Sequence, residues 1–388
     1  MFTLNSIYEY IAARRADLEV LARDIWEHPE TAFKEKYSAE RLARFLEERD
    51  FAVTRAWLDV PTAFTTDFAN GDGPVFGIAA EYDALPAVGH GCGHNLIATA
   101  AVAATLAVRE AMREASIPGT IRLLGTPAEE DGGGKVVLLE RGALKGVDAV
   151  MMVHPTWRTS NDSGSSALRK YNVTFHGHAA HAAGNLDTAV NALDSVMLMY
   201  AGINAFRQQL PSFCRIHGIV DDGGDVPNVI PGRASCCFYL RSTSEEWMEK
   251  LDARFHAIAE GAAMMTGAKL EIVQPSKPYR SRRPNAPMNE QYLTDMAELG
   301  DHPVRNPVVN MGSSDFGDFS QEIPGVHCYF GIADHLIPGH SVEMADAAKS
   351  AFGMDATLRA AAAMAHIALR FLTDGKFRAE VKADFTRK

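Results

Sequence analysis

A thiol and an imidazole stand two residues apart at Cys92 and His94, in the glycine-rich stretch Gly89-His90-Gly91-Cys92-Gly93-His94-Asn95. Thiolate and neutral imidazole are ligands that zinc-like cations prefer, and the glycines permit a turn tight enough to aim both inward. Taken alone, the pair describes a core cysteine beside a hydrogen-bonded histidine at least as well. Three later segments add donors: Glu129-Glu130, His154-Pro155 and His340. Adjacent glutamates behind an apolar strand repel one another if both ionise in a dry pocket, so something positive is expected beside them. A metal pair would serve, one carboxylate holding metal while the other moves protons. The rival reading is a solvated acidic first turn of a helix. A phosphate loop is excluded at the glycine run, because Lys135 is followed by Val136 rather than Ser or Thr and the preceding acids repel phosphate.

These donors need elements to position them. The first fifty residues carry helical periodicity in two blocks, Leu18, Leu21 and Ile25 marking one apolar face and Leu42, Phe45 and Leu46 the other. Short apolar runs at 51–54, 63–66 and 75–80 read as strands, the last ending at Glu81-Tyr82-Asp83 just before the Cys92/His94 loop. A buried helix over 95–113, a strand over 121–124, the glutamate turn, a helix over 136–141 and a strand over 149–153 continue the alternation. That order implies an α/β fold, a mostly parallel sheet flanked by helices, which binds ligands at the carboxyl ends of its strands. Cys92, His94, Glu129, Glu130 and His154 all fall just past predicted strand ends.

From about Ser160 the texture changes to a polar stretch, followed by a strand-helix-strand-strand-helix-strand series across 170–273. It reads as a ferredoxin-like α+β insert of small-domain size. The expected organisation is catalytic domain 1–167, inserted domain 168–277, and the rest of the catalytic domain 278–388. A chain of 388 residues also favours two domains on length alone.

Composition narrows the partners. A net charge of −11 with no run of Lys and Arg argues against nucleic acid or an anionic membrane as the main partner. The longest apolar run, 96–108, is too short to span a bilayer and reads as a core helix. Five scattered cysteines make a poor disulfide framework, and the N-terminal segment lacks a signal-peptide core, so the expected location is cytoplasmic.

The ordered set Glu81-Tyr-Asp83-Ala-Leu-Pro, Gly89-His-Gly-Cys92-Gly-His94-Asn, Pro127-Ala-Glu129-Glu130, His154-Pro155, Gly177-His-Ala-Ala-His181-Ala, Asn228-Val-Ile-Pro231, Gly312-Ser-Ser-Asp315-Phe and His340-Ser resembles the M20 metallopeptidase family. The similarity is greatest to its amidohydrolase subfamily, which includes aminobenzoyl-glutamate hydrolases, aminoacylases and certain dipeptidases. The resemblance implies two divalent ions, zinc or manganese with cobalt or nickel as alternatives, held by Cys92, His94, Glu130, His154 and His340. It implies Glu129 as the general base towards water, Asp83 as support behind the metals, and His181 steadying the oxyanion from the partner subunit. Asn228 would lie nearby and Arg241 would contact a substrate carboxylate; against this, Arg241 could simply close a strand. Dimerisation through the insert would then form part of the active site, in a homodimer or a higher homo-oligomer. Relatives with a His-x-Asp pair differ from Glu81-Tyr82-Asp83 here, so the Cys92/His94 loop must stand in for that histidine, and Asn95 replaces an aspartate common in the subfamily. His335 competes with His340 as the last ligand.

The expected function is hydrolysis of a C–N bond, the amide of an N-acyl or N-aroyl amino acid or of a dipeptide-like molecule. Two alternatives are a hydrolytic deaminase using the same centre and a non-catalytic binding protein on the same scaffold. A covalent route is not expected, since Gly312-Ser313-Ser314 lacks the nucleophile-elbow spacing and a metal-bound Cys92 would not attack.

Overall fold

The computed structural model describes residues 3–184 and 186–387. The chain divides into two compact units, Met1–Gly164 with Arg283–Val308 and Asp315–Lys388, and Ser165–Arg282 with Val309–Ser314.

Three amphipathic helices open the first unit: α1 (Leu4–Ala12), α2 (Arg15–Glu27) and α3 (Lys36–Glu47). Residues three and four apart, such as Leu18, Leu21 and Ile25, bury one face of each. Then come β1 (Val53–Arg55), β2 (Phe64–Ala69), β3 (Val75–Ala80), α4 (His94–Glu114), β4 (Thr120–Gly125), α5 (Gly134–Glu140) and β5 (Ala149–Thr156). The second unit comprises β6 (Ala167–His176), β7 (Ala180–His181), α6 (Ala192–Arg207), β8 (Cys214–Asp222), β9 (Val229–Ile230), β10 (Arg233–Ser242), α7 (Glu245–Thr266) and β11 (Lys269–Val273). The chain returns to the first unit with α8 (Ala286–Glu298), α9 (Phe316–Glu322), β12 (Gly325–Gly331), α10 (Val342–Ala347), α11 (Ala351–Thr373) and α12 (Gly375–Thr386).

The six strands of the first unit pair in the order β1-β2-β4-β3-β5-β12. β4, β3, β5 and β12 run parallel, whereas β2 and β1 continue the edge antiparallel. β3 reads Val-Phe-Gly-Ile-Ala-Ala without alternation because helices cover both faces of a parallel sheet, and all but its first residue are buried. α4 and α11 pack together against that sheet, their alanines permitting close approach. The apolar run read as too short for a bilayer lies within the 21-residue α4, which is long enough; it is nonetheless a core helix, with 94% of its apolar window buried.

In the second unit four antiparallel strands pair as β11-β6-β10-β8. Alternate residues of β6, Tyr171, Val173 and Phe175, point to the core with Phe238, Val196, Met199 and Phe255, so α6 and α7 seal one face. β7 and β9 form a separate two-stranded ribbon.

Candidate metal centre

The parallel strands carry the donors to one end of the first unit's sheet. β3 runs directly into Glu81-Tyr82-Asp83, β4 into the turn bearing Glu129 and Glu130, and β5 contains His154. Gly93 joins Cys92 to the start of α4 with a left-handed backbone at φ 71°, and a Cβ there would come within 2.5 Å of Pro155. Only glycine therefore lets the loop approach β5 closely enough to set Cys92 and His94 beside His154. His340 also has a left-handed backbone (φ 59°), and its N–H donates to the Gly91 carbonyl at 3.1 Å, which ties it to the same loop.

Three groups of donors lie mutually within 4.8 Å: Cys92, His94 and His154; Cys92, Glu130 and His340; and His94, Glu129 and Glu130. The geometry thus brings together all five residues read from the sequence as ligands, with Glu129 beside them. Asp83 lies behind, its Oδ1 3.1 Å from His94 Nδ1 and its Oδ2 accepting the Glu130 N–H at 2.9 Å. That bond assigns the proton to Nδ1 and leaves Nε2 of His94 facing inward. His154 is oriented in the same manner, with Nδ1 2.7 Å from the Pro155 carbonyl. His340 Nε2 lies 3.7 Å from Glu130, whereas His335 is exposed and pairs with Asp334 at 2.6 Å. Asn95, by contrast, donates to the Ala22 and Ala348 carbonyls, which makes it a tie between helices.

The donor set fits divalent cations. His94 Nε2 and Glu130 Oε1 are buried, 3.7 Å apart, and make no hydrogen bond. Burial works against charge on His94, yet the adjoining Asp83 and then Glu81 raise its proton affinity well above the ordinary value. Burial, then Glu130 and Glu81, raises the Glu129 carboxyl well above its usual range, and burial with Glu130 nearby raises the Cys92 thiol. Without a cation, then, these groups hold protons that a divalent ion would displace.

The other expected site residues lie in the second unit. His181 and Asn228 adjoin on the β7–β9 ribbon, where the Ala182 N–H donates to the Asn228 carbonyl at 2.9 Å. Arg241, on β10, donates to Ser313 Oγ at 2.8 Å and to the Met311 carbonyl at 3.2 Å. Two residues carry no role that the sequence alone suggested. Lys135 is fully buried between Glu81 and Asp315, and Glu35, equally buried, accepts the Ala128 N–H at 2.9 Å. The glycine run before Lys135 suggests only a phosphate loop, and the acids that Lys135 in fact balances lie 54 and 180 residues away in the chain.

Comparisons with known proteins identify the family. The model of the peptidase family M20/M25/M40 matches residues 77–370. The chain is 37% identical to the Xaa-Arg dipeptidase of Mus musculus, covering 92% of this chain and 87% of that protein. It is 36% identical to one of the subunits of the p-aminobenzoyl-glutamate hydrolase of Escherichia coli, covering 69% and 60% respectively. In fold it resembles a dinuclear metal-binding peptidase of the M20 family from Bacillus subtilis, with a TM-score of 0.66 at 21% identity over 89% of this chain and 98% of that one. The chain belongs to the peptidase family M20/M25/M40 and is a hydrolytic enzyme.

Proposed function

We propose that the protein hydrolyses the amide bond of a dipeptide or an N-acyl or N-aroyl amino acid, using two divalent ions held by Cys92, His94, Glu130, His154 and His340. The convergence of those five side chains around Glu129 carries this reading. When bound, the ions polarise the scissile carbonyl and lower the pKa of water. Glu129 takes a proton from water and returns it to the leaving nitrogen, a role suited to a carboxyl whose proton affinity burial has raised. Asp83 keeps His94 oriented and holds the Glu130 backbone in place. The Cys, His and carboxylate ligand set suits zinc or manganese and admits cobalt or nickel.

Arg241 supports a substrate bearing a carboxylate, since its guanidinium is held by a hydroxyl, a carbonyl and the His217 ring rather than by an acid. The relatives named above make dipeptides with a C-terminal arginine and aroyl-glutamates the first substrates to try. A homodimer through the second unit would let His181 steady the oxyanion in the partner's site. The edge strand β8, on which Ile219 is 64% and Val220 43% exposed, supports that face as the interface. Five free cysteines support a cytoplasmic location.

Mass spectrometry of the products separates the readings. Amide hydrolysis gives a carboxylate and an amine or amino acid, whereas a deaminase releases ammonia and a binding protein releases nothing. Glu129→Gln should lower kcat by at least about 10³-fold while leaving metal content unchanged; full activity in that variant would sink the mechanism.

A further inference from the structure

A fourth group of donors, made of carboxylates alone, adjoins the five ligands and has a different occupant. Donor oxygens of Glu81, Glu129 and Asp315 lie mutually within 4.8 Å, all three residues being buried. Such a trio would ordinarily attract a divalent cation. Here a lysine side chain supplies the positive charge. Lys135 Nζ lies 2.5 Å from Glu81 Oε1 and 2.7 Å from Asp315 Oδ1, while its backbone N–H donates to Asp315 Oδ2 at 2.8 Å. Its side chain is wholly enclosed.

Burial normally favours the neutral amine. For Lys135 burial is outweighed by Asp315, Glu81 and Glu129, which raise its proton affinity and keep the ammonium charged. The same residue governs backbone geometry. Lys135 lies six positions beyond Glu129, across a turn closed by the Gly133 and Gly134 N–H groups on the Ala128 carbonyl at 3.0 and 3.1 Å. Buried carboxylates accept an N–H from Ala128 (Glu35), from Glu130 (Asp83) and from Lys135 (Asp315). Both ends of the segment bearing Glu129 are therefore pinned, and the far end depends on the Lys135–Asp315 contact.

We propose that Lys135 is a positioning residue of the hydrolytic reaction, an internal cation that holds Glu81 and Asp315 together and thereby fixes Glu129 in its working position. The proposal rests on the function given above. Without the ammonium, Glu81 and Asp315 lose the charge they share, and their repulsion of Glu129 displaces the base. A displacement of about 1 Å at a reacting group can cost about 10²-fold in rate.

A double-mutant cycle tests it. Lys135→Met keeps most of the volume and removes the charge; Glu81→Gln removes one carboxylate and restores the balance. We expect K135M to bind as much metal as the wild type and keep KM within about threefold, with kcat lower by about 10²-fold. The double variant K135M/E81Q should recover at least about tenfold over K135M, a rescue that a purely structural lysine would not allow. A K135M kcat within about threefold of wild type would overturn the proposal, as would loss of metal from K135M or a double variant less active than K135M. If K135M alone does not fold, the double variant is compared with E81Q: activity within about tenfold supports the proposal and a larger loss overturns it. Absence of amide turnover in the wild type would refute the proposed function alone. The coupling is then read from melting temperatures of the four proteins, non-additive if the ammonium neutralises the trio and additive if it does not.

Discussion

Glu35 offers a test of the electrostatics around the base that needs no substrate. Its carboxyl is fully buried, with Oε1 accepting the N–H groups of Phe33 and Ala128, both at 2.9 Å. Burial, and then the charge on Asp83, raises its pKa from 4.5 to about 7. A carboxyl raised on folding leaves stability intact below the unfolded value, and that stability is lost as pH rises through the folded value. Between pH 4.5 and 7 the unfolded chain gives up this proton while the folded chain keeps it; above about 7 the folded chain bears an ionised buried acid. At about 1.4 kcal/mol for each tenfold in proton affinity the full effect is about 3 kcal/mol, of which about 2.5 kcal/mol falls between pH 5 and pH 8.5. Glu35→Gln retains an acceptor for both N–H groups and abolishes the titration. Urea unfolding of chelator-treated wild type and E35Q across that range should show E35Q gaining on the wild type by about 2.5 kcal/mol as pH rises. A difference that stays flat within about 0.5 kcal/mol, or one of opposite sign, would refute the reasoning.

Gly134→Ala would place a Cβ 1.7 Å from the Pro127 carbonyl oxygen, so the base turn must open; kcat should fall by at least about 10²-fold in protein that still folds by circular dichroism, and near-wild-type turnover would contradict the strain argument. Arg241→Ala should raise KM by at least about tenfold for substrates with a free carboxylate and leave kcat within a few-fold. Equal kinetics on an acid and its amide analogue in the wild type would remove Arg241 from substrate recognition.

Much of this was legible in the sequence because periodic apolar faces and breaker residues carry local information. The continuous apolar run of β3 announced a strand buried on both faces, and the all-round apolar start of α4 announced a core helix. The parallel centre of the sheet followed from the alternation of elements, whereas the antiparallel edge made by β1 and β2 did not, since nothing in a short strand specifies its partner. α9, α10 and α12 leave little mark in the sequence for similar reasons: two are under eight residues, and α12 is amphipathic only weakly, burying Phe377 and Val381. The donors could be read by residue type and by resemblance to a family. Glu35 and Lys135 could not, because their partners are 93 and 180 residues away, and a buried charge in one segment is meaningful only once the opposing segment is placed.

If the proposed function holds, Cys92, His94, Glu130, His154 and His340 hold two divalent ions beside a base, Glu129, that is not itself needed to bind them. Elemental analysis of wild type and Glu129→Gln, both purified without chelator, tests it most directly. Close to two divalent ions per chain are expected in both proteins, with amide turnover only in the wild type. One ion or none in the wild type after loading with zinc or manganese would contradict it, as would the loss of an ion on replacing Glu129.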